Sequence, residues 1–342
     1  MSASAFLGEK DIPLTGARAV NLRTDLGGIA ELIELCFSVD EAGRATAREL
    51  RALSQSGALL SLLQRLDRVL DGLGQGFVWL EAGKLVANVS IAQADYPRDM
   101  GKGYIIANVA VHPDYRRRGF AKALMRKALD HIQQRGASFA ILQVEADNYG
   151  ARNLYQQLGF YEERTFIKWQ RAASQRAPQK LAEMPFITLR QGNEWRAEYD
   201  LARVVRPNRR GGVGWLRPTH PSLFRPSLLR FLGMLASGQG VERWIVRGAD
   251  ERSILGVLYS QTQFGGAVRL ELMVHPNMQG KLEKPLLNYV LRRFDGQHRV
   301  LHLEHPADDE LTNTILEEYG FTRRHTLVHM RRDLNQTGIK EG

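Results

Sequence analysis

Apolar and polar positions follow one another along the chain in two similar blocks. Ala17–Leu22 reads as a short strand. Leu26, Ile29, Leu32, Ile33 and Cys36 recur at helical spacing and predict a helix over Leu26–Phe37 with Asp25 as its cap. Helical patterning continues through Ala45–Leu73. Val78–Glu81, Leu85–Ala92 and Tyr104–Val111 are strand-like, the first two joined by a turn at Ala82-Gly83. A helix over about Gly119–Arg135, a strand over Ala140–Val144, a helix over Tyr149–Leu158 and a strand over Thr165–Gln170 complete the first block.

Residues 171–185 are polar, contain two prolines and read as a linker. Beyond them the order repeats. Val-Ala-Val-His-Pro-Asp-Tyr at 109–115 returns 163 residues later as Leu-Met-Val-His-Pro-Asn-Met at 272–278. Leu158-Gly159-Phe160 returns 161 residues later as Tyr319-Gly320-Phe321. Both intervals hold a long amphipathic helix, a strand and a second helix. The pattern predicts an α/β chain of two tandem domains, 1–170 and 186–332, each a central mixed sheet flanked by helices, and a flexible tail over 333–342.

Composition narrows the classes of function. The chain has 342 residues, 44% of them hydrophobic and 25% charged, which is ordinary globular usage and enough for about two domains. No apolar run approaches the ~20 residues that span a bilayer. Met1–Asp11 has no long apolar core and does not read as a signal peptide. The single cysteine, Cys36, cannot form an intrachain disulfide, which fits a cytoplasmic, reducing setting. HExxH and CxxC are absent and the nine histidines show no ligand spacing, so no metal is expected. Net charge is +10 and lies mostly in the second half, which attracts anions without choosing among them.

Chemistry concentrates in Ala107–Tyr161. The apolar run Ile105–Val111 ends at His112-Pro113. Arg116-Arg117-Arg118-Gly119-Phe120-Ala121 then opens a helix. A strand, a glycine-containing turn and a helix N-terminus make an anion site, because free backbone N–H groups and the helix dipole point outward there. Gly119 lacks the Cβ that would hold a pyrophosphate off the backbone. Downstream, Asn148, Ala151, Tyr155, Gly159 and Phe160 follow a strand directly.

Together these segments resemble the GNAT superfamily of acyl-CoA-dependent N-acyltransferases. Its cofactor signature, Arg/Gln-x-x-Gly-x-Gly/Ala, reads here Arg116-Arg117-Arg118-Gly119-Phe120-Ala121. Its second signature, Asn with Ala at +3, Tyr at +7 and Gly-Phe at +11 and +12, reads Asn148, Ala151, Tyr155, Gly159 and Phe160. The resemblance is strongest over about 55 residues and implies two GNAT-type domains in tandem. It implies that the backbone of Val109, Ala110 and Val111 pairs with the pantetheine arm of acetyl-CoA and supplies an oxyanion donor. It further implies that the amides of Arg117–Ala121 hold the pyrophosphate, that Asn148 contacts the cofactor, and that Tyr155 protonates the departing thiolate.

The general base is left open by the residues. The text is similar to that of ribosomal-protein alanine acetyltransferases, in which a glutamate falls where Gln143 stands. Glu145, two residues on and on the same strand face, is the candidate, with a water chain as the alternative. The second block is a worn copy. Leu282 stands at the Gly119 position, Glu283 follows it, Pro285 enters the first helical turn and Leu316 replaces Tyr155.

The expected function is transfer of an acetyl group from acetyl-CoA to a primary amine at the first domain. A small-molecule amine is favoured over a protein N-terminal or lysine amine. The alternative is a non-catalytic acyl-CoA sensor or an RNA-binding protein using the seven arginines of residues 201–240. The expected partners are acetyl-CoA and the amine acceptor, without membrane and with nucleic acid disfavoured, in a monomer or homodimer.

Overall fold

The computed structural model describes residues 15–37, 47–52, 75–263 and 266–334. The chain divides into two compact units. One draws on Met1–Ala94, Gly101–Leu142 and Arg332–Gly342, the other on Asp95–Met100 and Gln143–Arg331.

In the first unit β1 (Gly16–Ala19), β2 (Gln75–Glu81), β3 (Lys84–Gln93), β4 (Gly103–Val111) and β5 (Phe139–Glu145) lie side by side in that order. All neighbours are antiparallel except β4 and β5. The alternation in β2 puts Val78 and Leu80 inside, where Val78 meets Leu26, Ile29, Ala30 and Ile33 of α1 (Leu26–Phe37). The Asp25 carboxylate does not act as a simple cap. It accepts from the Asn21 amide and from both terminal nitrogens of Arg18, tying β1 to the start of α1. α2 (Phe120–Gln134) buries Leu124, Met125, Ala128, Leu129 and Ile132, one stripe at 3.6-residue period. The helical pattern read over Ala45–Leu73 is observed at 47–52, and the rest lies outside the described residues.

In the second unit the strand order is β12 (Thr322–Asp333), β6 (Tyr161–Arg171), β11 (Leu301–Pro306), β10 (Val268–Val274), β9 (Ile254–Gln263), β8 (Gln239–Arg247) and β7 (Ile187–Leu189). On one face α7 (Glu283–Arg293) and α8 (Glu310–Glu318) pack Leu286, Leu287, Val290, Leu291, Ile315 and Leu316 against Ile167, Trp169, Leu270 and Leu303. On the other, α4 (Trp195–Val205) and α5 (Pro221–Phe224) cover Ile245, Val257 and Met273. α3 (Tyr149–Gln157) and α6 (Leu228–Ala236) are the remaining helices. No described helix is long and apolar enough to cross a membrane.

The structure places the break in the chain differently from the sequence pattern. Residues 172–186 carry no helix or strand, as a linker should, yet the division falls inside β5, between Leu142 and Gln143. The cause is β6. It pairs with β11 along one edge and with β12 along the other, both antiparallel, so its contacts go with the second half. The tail also differs. Arg332 and Asp333 continue β12, and Leu334 is buried with its amide on the Ser138 carbonyl at 2.9 Å.

Two buried side chains mark this strand exchange. Trp169 of β6 is 1% exposed and donates from Nε1 to Asn313 Oδ1 of α8 at 3.0 Å. His329 of β12 stacks on Phe166 with centroids 4.4 Å apart, and its Nε2 lies 2.7 Å from Gln143 Nε2. Burial, aided by the charge of Lys168, holds His329 down to about 3. Replacing Trp169 by Ala is expected to cost about 3–5 kcal/mol in a denaturant melt. An unfolded histidine titrates near 6.5, so between about 6.5 and 3 the unfolded chain takes up a proton that folded His329 refuses. Stability therefore falls as pH falls through that window, and melting temperatures measured from pH 7 to 4 should fall less steeply in His329→Phe than in the parent.

Candidate active site

The first copy is built on a strand that loses its partner. The parallel ladder between β4 and β5 ends at Ile105 and Ile141, while β4 runs on to Val111. The His112 amide donates to the Val86 carbonyl. Antiparallel alternation then turns the backbone groups of Ala110 toward β3 and those of Val109 and Val111 away from it. Of the three residues expected to meet a pantetheine arm, Val109 and Val111 have that direction and Ala110 does not. The Val111 carbonyl already accepts from Arg116 Nε at 3.3 Å and from Cys36 Sγ at 3.5 Å.

Past the strand end the chain turns through two left-handed residues, Arg117 (φ 62°) and Gly119 (φ 83°), into α2. Among the described residues no acceptor is found for the amides of Arg117, Arg118, Gly119, Phe120 and Ala121. A Cβ built on Gly119 would meet nothing within 4 Å, so the turn faces open space. The Phe120 ring is spent elsewhere: it stacks on Trp79 at 4.4 Å and fastens the helix start to β2, leaving only its amide for a ligand. The Arg118 guanidinium lies 4.9 Å over the Tyr115 ring, with Lys84 Nζ 5.9 Å from the same ring. This array of free donors within a cationic surround fits a diphosphate.

Asn148 is the N-cap of α3, its Oδ1 accepting from the Ala151 amide at 3.1 Å. Two motif positions are thereby explained by local folding, and the Asn148 amide nitrogen remains for a ligand. Tyr155 is buried, its ring edge-on to Phe160 at 6.1 Å. Burial pushes its phenol well above the usual tyrosine range, so it stays protonated and able to donate. Glu145 is half-exposed, with Oε1 2.7 Å from His325 Nδ1 on β12. Gln143 and Glu145 thus face His329 and His325, two positions apart on β5 against four on β12. Both histidines went unread in the sequence, because nothing local shows that the last strand lies against β5.

The second copy repeats the backbone and fills its openings. His112 and His275 each accept from the amide two residues on, at the head of matching 3₁₀ turns. Ala146 donates to Thr326, and Ala307 donates to Thr165. Where Gly119 stands, Leu282 is buried, and the Glu283 carboxylate accepts from the Gly280 amide at 2.8 Å. The anion position at this helix start is occupied by the chain's own carboxylate. Beyond the end of the β10–β11 ladder, Arg206 bridges the gap. Its Nη2 donates to the Leu272 carbonyl at 3.0 Å and lies 3.3 Å from His305 Nδ1. His305 Nε2 is 2.8 Å from Asp309, which caps α8 as Asn148 caps α3. Burial depresses Arg206 to about 9 and His305 to about 4. Leu316 is sealed at the Tyr155 position. The arginines of 201–240 do not form one strip: Arg206 is buried and Arg217 pairs with Glu271, while Arg225 and Arg230 are exposed.

Among the described residues no group of three or more His, Cys, Asp or Glu side chains could hold a metal ion. Residues 44–160 match the acetyltransferase (GNAT) family. Over 55 residues the chain is 44% identical to a ribosomal protein bS18-alanine N-acetyltransferase of Escherichia coli, a match covering 16% of this chain and 37% of that protein. Over 84 residues it is 34% identical to N-alpha-acetyltransferase 30 of Schizosaccharomyces pombe, covering 25% and 55%. The chain thus spans between about a third and just over half of the curated relatives it matches. Two solved structures share the fold over nearly their whole length. A GCN5-related N-acetyltransferase from Sphaerobacter thermophilus has TM-score 0.58 and 21% identity, covering 95% of this chain and 97% of that one. A tandem GNAT protein from the clavulanic acid biosynthesis pathway has TM-score 0.53 and 14% identity, covering 94% and 99%. With the two signatures on matching elements and the fold repeated within one chain, the protein belongs to the GNAT acetyltransferase family and to its tandem, two-domain form.

Proposed function

We propose that the first copy binds acetyl-CoA and passes its acetyl group directly to a primary amine, and that the second copy binds no nucleotide. The observation that carries this reading is the contrast at the two helix starts. One presents five amides without acceptors around an open Gly119; the other is closed by Leu282 and Glu283. In this assignment the amides of Arg117–Ala121 hold the diphosphate, with Arg116 and Arg118 as counter-charges. The free backbone edge of Val109 and Val111 aligns the pantetheine arm.

The chemistry is aminolysis of a thioester. The amine nitrogen bonds to the carbonyl carbon, the C–S bond breaks, and Tyr155 gives its proton to the departing sulfur. Its raised pKa suits a donor that must stay protonated until the thiolate forms. The amine proton leaves toward Glu145, whose pairing with His325 fixes the carboxylate, either directly or through water.

The acceptor is proposed to be a small amine. A protein N-terminus needs an open groove, and the face carrying Phe166 and His329 is roofed by residues 211–215. Gly211 approaches Phe166, and Trp215 packs against His329 with its amide on Glu304.

Labelled acetyl-CoA offered to amine and peptide libraries tests the reading. Small amines are expected to be labelled, and Tyr155→Phe should lower kcat by about 10²-fold or more with coenzyme A affinity kept. Labelling of peptides alone, or full activity in the Phe variant, would overturn it. Calorimetry with coenzyme A should give one site per chain. Gly119→Val should abolish that site and Leu282→Ala should leave it unchanged, whereas two sites would refute the assignment of the second copy.

A further inference from the structure

The two copies differ by one residue in the strand that would carry the acyl group. In the second copy β9 and β10 pair without interruption from Val268 opposite Thr262 to Val274 opposite Gly256. In the first copy the register slips. Ala110 lies opposite Asn88 and Ala107 opposite Ser90, so Asn108 and Val109 together face Val89. Asn108 takes a left-handed φ of 50°, a β-bulge made with a residue other than glycine.

This bulge is held by a side chain. Asn88 is fully buried and donates from Nδ2 to the Asn108 carbonyl at 2.9 Å and to Ser90 Oγ at 3.2 Å. Asn108 Nδ2 reaches the same Ser90 Oγ at 3.4 Å. The orientation of the Asn88 amide is fixed by its partner, because a flipped amide would set oxygen against the Asn108 carbonyl. Its Oδ1 is sealed from solvent with no partner. A buried polar atom left unpaired is a standing cost, so the residue is retained for what its other end does. In the second copy, taking the two histidine amides on Val86 and Leu255 as the reference, the position of Asn88 is Val257, which is buried against a regular ladder.

A trans peptide points its C=O and the following N–H in opposite directions. Drawing the Asn108 carbonyl toward β3 therefore turns the Val109 N–H away from β3, beyond the point where the β4–β5 ladder has ended. We propose that Asn88, braced by Ser90, is a positioning residue that fixes the Asn108–Val109 peptide so that the Val109 N–H is the donor to the oxygen that becomes anionic during acetyl transfer. This rests on the acetyl-transfer reading above. It assigns a single amide to that role and gives a reason, absent from the second copy, for a buried asparagine in an apolar strand. Donors preorganised in this way act mainly on the chemical step, and losing one costs about 10²–10³ in kcat.

The test compares Asn88→Val, the residue of the second copy, with the milder Ser90→Ala and with the parent protein. Asn88→Val is expected to lower kcat at least tenfold, with coenzyme A affinity within threefold of the parent, and Ser90→Ala to lie between. Amide hydrogen exchange in the protein without ligand gives a second readout. Val109 should exchange quickly in the parent and at least tenfold more slowly in Asn88→Val, where the peptide can turn and pair with β3. An unchanged kcat in a folded Asn88→Val, or equal losses of kcat and coenzyme A affinity, would overturn the proposal. If the parent protein transfers no acetyl group, the acetyl-transfer reading fails. The Val109 exchange rate then still decides the lock, and the same slow rate in parent and variant would sink it. If Asn88→Val does not fold, Ser90→Ala carries both readouts with the same criteria.

Discussion

A backbone N–H taken out of water needs an acceptor, and a strand that outruns its parallel partner and feeds a helix leaves several at once. Both copies in this chain inherit that debt from the fold. The second settles it internally, with the Glu283 carboxylate on the Gly280 amide and the Arg206 guanidinium on the Leu272 carbonyl. The first leaves the amides of Arg117–Ala121 open and has a glycine where a side chain would intrude. Most differences between the copies follow from these two solutions. Once Arg206 is buried in the gap it needs His305 as acceptor, and His305 needs Asp309, which also caps the following helix.

How much of this was legible in the sequence depends on how local each signal is. The strands and helices of the first block were read within a few residues, because their patterns sit within single elements. β4, for example, was expected at Tyr104–Val111 and is found at Gly103–Val111. The Gly119 turn, the Leu282 and Glu283 substitutions and the Tyr155-to-Leu316 exchange were equally plain, since each is a residue type at a fixed offset. Asn148 and Ala151 were read as a ligand contact, and the structure shows that their spacing also makes a helix cap.

What was not legible is non-local. The pairing of β6 with β11 and β12 joins strands more than a hundred residues apart, and nothing in Thr165–Gln170 announces it. For that reason His325 and His329, which face Glu145 and Gln143, were missed. Asn88 had a visible signal, a polar residue inside the apolar run Leu85–Ala92. Its meaning required the register slip at Asn108. Asp309 was missed because the copies were aligned without the helix caps that relate it to Asn148.

The clasping of β6 between β11 and β12 bears on what a cut in the connecting segment would do. Arg171, at the end of β6, also binds the Tyr319 carbonyl and the carbonyls of Gln175 and Arg176, anchoring the chain as it leaves the strand. A protease that severed the peptide between residues 178 and 186 would yield two pieces on a denaturing gel. In native buffer β6 would remain hydrogen-bonded along both edges to strands of the other piece. The covalent connection is thus dispensable for cohesion once folding is complete, and gene fission at this point would give a heterodimer in place of a single polypeptide.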